Sequence, residues 1–150
     1  MYSVALFLHS WNRWIALIAV VGTVLAAFRR KEAVAERWGS IAMMSLDLQM
    51  LIGLLLYFVI SPNMREILAN FGASMKEPAA RFWAVEHITP MIGAIAAAHV
   101  GRVLARKAKS ADQRRLRLLV CFGVAFVLIM VGMPWPGRPG GRELFRGLGL

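Results

Sequence analysis

The sequence predicts an all-α integral membrane protein, a four-helix up-down-up-down bundle with a short interfacial helix between spans two and three. Three observations predict it. The chain is 59% hydrophobic, above the roughly 45–50% of soluble domains. Four charge-poor runs, at about 4–28, 40–60, 83–104 and 116–133, reach or approach the ~20 apolar residues that cross a bilayer core of about 30 Å. The basic residues, which give the 150-residue chain a net charge of +10, gather mainly in the connectors.

The first run has no basic segment before it and no small-residue cleavage site, and Arg29-Arg30-Lys31 follows it, so it reads as a retained helix rather than a signal peptide. Arg37 completes the first basic connector. The second span opens at Ser40 after Gly39 and closes at Ser61-Pro62, where the residue before proline disfavours the helix. Between Asn63 and Met75, Met64, Ile67, Leu68 and Phe71 share one face, while Arg65, Glu66 and Asn70 fall elsewhere. This is the pattern of a short helix lying on a membrane surface. In connector 61–81, Arg65, Lys76 and Arg81 are offset by Glu66 and Glu77.

The third span carries Gly93, Ala97 and Gly101 at four-residue spacing, a stripe that lets helices approach closely. Connector 102–117 holds Arg102, Arg106, Lys107, Lys109, Arg114, Arg115 and Arg117. The fourth span ends at Met133 because Pro-Trp-Pro-Gly cannot continue a helix. Residues 1–133 thus form the transmembrane domain, and 134–150 a Pro/Gly-rich basic tail whose Leu144, Phe145 and Leu148 are available to lipid or a partner.

Short basic loops stay cytoplasmic, so connectors one and three face inward, and connector two and both termini outward. Trp11, Trp14, Trp83 and Trp135, with Tyr57 and Phe82, fall at the outer boundary as an aromatic belt. The positive charge therefore serves topology and anionic lipid, not nucleic acid. The single cysteine, Cys121, excludes an internal disulfide and reads as a small buried hydrophobe.

Polar residues within the spans are few. His9 lies about 8 Å below the start of span one, and His87 at a similar depth in span three. Arg13 and Glu86 share that layer. Asp47 and His99 form an inner layer, about 18 Å away by the His87-to-His99 spacing, where they can pair or neutralise each other. Two imidazoles on different helices suit the iron of a haem b, with Arg13 near a propionate and Glu86 as supporting partner. The alternatives are hydrogen bonding at the headgroup boundary, a metal ion, or a pigment needing one axial imidazole. Twelve residues rotate His99 by about 120° from His87, which disfavours a second stacked haem on the same helix.

Other chemistry finds no support. There is no zinc spacing, no Gly-rich phosphate loop after a strand, and Ser10 beside His9 is not a nucleophile–base pair. Met43, Met44 and Met50 read as core filler rather than copper ligands. A stand-alone enzyme is not indicated.

Leu8-His9-Ser10-Trp11-Asn12-Arg13-Trp14 resembles the opening of a family of small four-helix bacterial inner-membrane proteins, mostly uncharacterised and often labelled cytochrome b-like. Leu48-Gln49-Met50-Leu51-Ile52-Gly53-Leu54-Leu55-Leu56-Tyr57-Phe58, Arg81-Phe82-Trp83-Ala84-Val85-Glu86-His87 and Pro134-Trp135-Pro136 extend the resemblance over most of the chain. It implies a polar core of His9, Arg13 and His87. It also implies a histidine where this chain has Asp47 and none at His99, which leaves His9 and His87 as the one ligand pair. The expected function is a b-type haem-binding electron-transfer or membrane-anchor subunit. The alternative is a non-catalytic accessory subunit of a larger bioenergetic or pigment complex. Either reading expects the bilayer and a membrane-protein partner or second copy as neighbours. A proton-coupled transporter built on Asp47 and His99 is disfavoured for want of broken helices.

Overall fold

The computed structural model describes residues 1–145 and 147. Among them the secondary structure is all helical: α1 (Tyr2–Phe28), α2 (Glu32–Ile60), α3 (Pro62–Ala69), α4 (Phe71–Ser74), α5 (Pro78–Arg106) and α6 (Ala111–Gly132). Four of these, α1, α2, α5 and α6, are long and apolar enough to cross a membrane. α1 packs along α2 and α6, and α5 along α6, whereas α2 and α5 touch only sparsely.

The long helices start earlier than the apolar runs suggest. Residues 32–39 extend α2 by two turns, because Glu, Ala and Arg are good helix formers whatever their polarity. Ser40 is therefore inside the helix, its Oγ donating to the Glu36 carbonyl at 3.0 Å rather than capping an end. Gly39 does not break α2 because it is packed: a Cβ there would lie 3.3 Å from Arg102 Cδ. α6 likewise begins at Ala111, with Ser110 Oγ accepting the Gln113 N–H at 3.2 Å. Only 29–31 and 107–110 connect these pairs of helices.

Small residues dominate the core. Ala16, Ala19, Ala27, Ala35, Ala42 and Ala98 are almost fully buried, with Phe122 and Leu118 filling the gaps between them. A Cβ on Gly101 would lie 2.6 Å from Cys121 Cβ, so the glycine stripe of α5 is where α6 approaches closest.

Two π-helical turns interrupt otherwise continuous helices, Leu56–Ile60 in α2 and Phe82–Glu86 in α5. The second has an evident cause. Pro90 has no N–H for the Glu86 carbonyl, and its ring crowds that oxygen. The helix widens instead, and the His87 N–H donates to the Phe82 carbonyl at 2.9 Å. The Ala84 carbonyl is taken by the Tyr57 hydroxyl at 2.7 Å, which ties the two π turns together.

The predicted amphipathic stretch folds as two pieces that break at Asn70. Ser61 Oγ accepts the Met64 N–H at 3.3 Å and caps α3, with Pro62 in its first turn. Met64 and Ile67 are buried against Ala84, and Leu68 packs beside them, while Phe71 stays exposed. The tail does not trail away. Gly137 (φ 85°) and Gly140 (φ 73°) turn it back, and the Arg142 N–H donates to the Pro134 carbonyl at 3.1 Å. Leu148 lies outside the described residues.

α1 ends in a cap normally built on glycine. The Arg30 N–H donates to Ala27 O at 3.1 Å and the Lys31 N–H to Ala26 O at 2.9 Å, with Arg30 at φ 58°. A side chain in that left-handed region costs roughly 1–2 kcal/mol. Its ion pair with Asp112 at 3.5 Å is largely exposed and contributes little. Arg30→Gly should raise the thermal unfolding midpoint of the purified protein, by about 1 kcal/mol in stability. An unchanged or lowered midpoint contradicts this account of the cap.

Candidate functional site

His9 and His87 face each other across one end of the helix array. Their ring centroids are 6.4 Å apart and their planes cross at 72°. Each is placed by a different device. On α1, the buried Asn12 amide donates to Ser45 O and Gln49 Oε1, both at 2.8 Å. Gln49 Nε2 in turn donates to the His9 carbonyl at 2.8 Å. This chain of amides sets the height of α1 against α2, and so the height of His9. Gly53 leaves room for the ring: a Cβ there would lie 3.0 Å from His9 Cε1.

On α5, the π turn ends at His87, whose Nδ1–H donates to the Gly132 carbonyl at 2.7 Å. That carbonyl lies in the last turn of α6, where it has no partner in its own helix. The bond selects the tautomer that leaves Nε2 with a free lone pair, the state a metal ligand needs. Phe82 and Trp83 flank the ring at 5.9 and 5.4 Å. His9 Nδ1 is sealed from solvent and has no hydrogen-bond partner.

The rings line a cavity of about 700 Å³ bounded by all four long helices and by the tail. Its wall is mostly apolar, interrupted by the two imidazoles, by Gln49, Tyr57, Arg13, Arg142 and Glu143, and by smaller polar side chains. The tail forms a strap over one end. Arg13 Nη2 and Trp14 Nε1 both donate to the Leu144 carbonyl, at 2.7 and 3.1 Å. Phe145 stacks on Trp14 at 5.3 Å and leans on Trp11 at 5.9 Å. Arg142 lies over the Trp83 ring at 4.3 Å. Leu144 and Phe145, expected to be available to lipid or a partner, are thus engaged with α1.

The structure brings together His9, His87 and Arg13 from the predicted outer layer, but not Glu86. That carboxylate points outward and accepts from Arg81 Nε at 2.6 Å. Neighbouring helical residues point about 100° apart, so Glu86 cannot share the direction of His87. Asp47 and His99 do pair, at 2.7 Å between Oδ1 and Nε2, away from the cavity lining. Arg142, with Gln49 and Tyr57, is among the site residues that sequence reasoning missed; nothing in a Gly-rich basic tail signals where Arg142 docks. Among the described residues, no group of three or more His, Cys, Asp and Glu side chains converges as metal ligands. No family model, curated protein or solved structure matches the chain.

The Phe145 stack is one of the contacts that hold the strap. Removing an aromatic pair costs about 0.5–1.5 kcal/mol, so Phe145→Ala should speed proteolytic cleavage within 136–144 roughly two- to tenfold. Cleavage at the wild-type rate means that the strap is held by something other than the Phe145 stack.

Proposed function

We propose that this is a multi-pass protein of the bacterial inner membrane. It holds one haem b between His9 and His87 and serves electron transfer, directly or as the membrane anchor of a redox complex. In this reading α1, α2, α5 and α6 cross the bilayer as an up-down-up-down bundle. The basic connectors face the cytoplasm, both termini face the periplasm, and α3 lies near the outer interface.

The separation of the two imidazoles, 6.4 Å between ring centres, carries the reading. A metal between two axial imidazoles, with bonds of about 2.0–2.1 Å, sets ring centres roughly 6 Å apart whatever the angle between the planes. Two protein ligands suffice where a macrocycle supplies the others. A volume of about 700 Å³ lies within the roughly 300–1,000 Å³ of cofactor pockets. The guanidiniums of Arg13 and Arg142 match two carboxylate side arms. The residues present fit the group.

Bound there, haem iron supplies a one-electron carrier. The chain's part is to orient and exclude. The Gly132 carbonyl holds the His87 ring by its Nδ1–H, which raises the basicity of Nε2. The amide chain from Asn12 through Gln49 holds the backbone of His9 in place. Phe82, Trp83 and the strap limit water at the rings, which favours a fixed coordination state over exchange.

The purified membrane protein should show a Soret band, with α and β bands on reduction. His9→Ala and His87→Ala should each abolish the six-coordinate spectrum while the protein still folds by circular dichroism. A wild-type protein that stays spectrally silent after reconstitution with excess haem overturns the proposal.

A further inference from the structure

The side chains that lack partners fall at the two ends of the helix array. Among the described residues, five enclosed side-chain nitrogens have none. Two, on His9 and Arg13, belong to the two-histidine cavity; the others are the Nε atoms of Arg102, Arg114 and Arg115 at the opposite end. Those three are N–H donors, so this end lacks an acceptor.

Arg102 is the most demanding of the three. It is only 7% exposed and lies within a span, about 6 Å from the end of α5 at Arg106. Its Nη2 donates to Ser40 Oγ at 2.9 Å, while Nη1 has no partner and is not enclosed. No carboxylate among the described residues forms an ion pair with it. Glu36, one turn before Ser40, is held by Arg114 at 3.5 Å, and Asp112 serves Arg30 and Arg115, each at 3.5 Å. Buried charges are retained where they are paired, and this one has a hydroxyl alone.

The surroundings say what would complete it. Arg102 and Ser40 meet across the α2–α5 seam, where the two helices touch only sparsely. Arg37 lies one turn from Ser40 and Arg106 one turn from Arg102, both toward the same end of the array. Both are exposed, and neither is in an ion pair among the described residues. In the other direction, Met44 and Leu51 share a stripe of α2 with Ser40 and Asp47, and Ile92 shares one of α5 with His99. The Asp47–His99 hydrogen bond places both stripes at the seam. Met44, Leu51 and Ile92 are all exposed, so an apolar strip runs away from a cationic floor.

We propose that this end of the α2–α5 seam holds the phosphodiester of one anionic phospholipid of the inner leaflet. Arg102 and Ser40 form the floor, Arg37 and Arg106 the rim, and an acyl chain lies along Met44 and Leu51. Phosphate oxygens accept from guanidinium N–H groups, and the rim cations disfavour a headgroup that carries an ammonium. Free phosphate shares the first chemistry but has no use for the strip. The proposal rests on the membrane reading above and not on the haem.

The test is native mass spectrometry of the full-length protein, delipidated in detergent and titrated with dioleoylphosphatidylglycerol, dioleoylphosphatidylethanolamine or inorganic phosphate. The wild type should bind one phosphatidylglycerol in preference to phosphatidylethanolamine, and equimolar inorganic phosphate should not displace it. Arg102→Met puts an apolar chain of similar length in place of the buried guanidinium, so it should fold by circular dichroism. It should weaken phosphatidylglycerol binding about tenfold or more, the effect of losing a charge-assisted hydrogen bond. Arg37→Gln/Arg106→Gln, confined to exposed side chains, should reduce the preference between the lipids whether or not Arg102→Met folds. Arg29→Gln/Lys31→Gln removes the same charge from the connector and should change neither. Equal affinity for the two lipids overturns the proposal, as does binding that ignores both the floor and the rim variants or falls as far in the connector variant. Displacement by equimolar inorganic phosphate also overturns it, since the occupant is then a free anion. Alkaline carbonate extraction tests the membrane reading separately: a protein that stays in the membrane yet shows no lipid preference sinks this proposal alone.

Discussion

A polar atom enclosed by apolar helices must find its partner within the chain, and that constraint organises this molecule. Few side chains break the apolar helix surfaces, and most of those that do are tied to another element. Asn12 reaches α2, Gln49 reaches back to α1, and Tyr57 reaches the π turn of α5. His87 reaches the end of α6, and Arg102, buried near the opposite end, reaches Ser40. Each is a cross-helix bond, and each fixes a height or a rotation that alanine packing leaves free. Alanine surfaces are smooth enough for helices to slide past each other at little cost, so register has to come from these few polar contacts.

The two histidines illustrate the constraint from opposite sides. His87 is satisfied at Nδ1 by a carbonyl that the end of α6 leaves over, so one bond settles both an orphaned helix terminus and a ring orientation. His9 is held by its backbone and by the space that Gly53 provides, and its Nδ1 is left without a partner. A buried polar atom in that condition costs about 1–3 kcal/mol. One imidazole is therefore fixed through its ring, and the other through its backbone and the space around it.

Much of the fold was legible because long charge-poor runs leave few alternatives to apolar helices. The helix starts were not, since polarity marks where a membrane boundary falls and not where hydrogen bonding stops. Residues 32–39 show the difference. The expectation that His9 and His87 share a depth followed from the helix rise and the topology read from the basic connectors, but whether they faced each other did not. Rotation about a helix axis is set by packing, and in α5 also by a π turn whose one visible trace is Pro90, four residues after Glu86. The pairing of Asp47 with His99 was one of two readings the spacing allowed. The docking of the tail was illegible, because turn residues specify that a chain bends and not which aromatic surface receives it.

The strap changes what the cavity selects. Arg13 alone is a single cation lining the cavity beside two imidazoles, and Arg142 makes it two. Glu143 also lines the cavity, so among the described residues one carboxylate stands against two guanidiniums there. In an apolar surround, like charges repel more strongly than they do in water. A bare metal cation entering this space meets that repulsion, and its two imidazole ligands are too few to offset it. An occupant with carboxylate arms meets charge-assisted hydrogen bonds instead, and relieves the repulsion between the guanidiniums as it binds. On the haem reading, the surplus positive charge of the cavity favours an apolar body with an acidic edge.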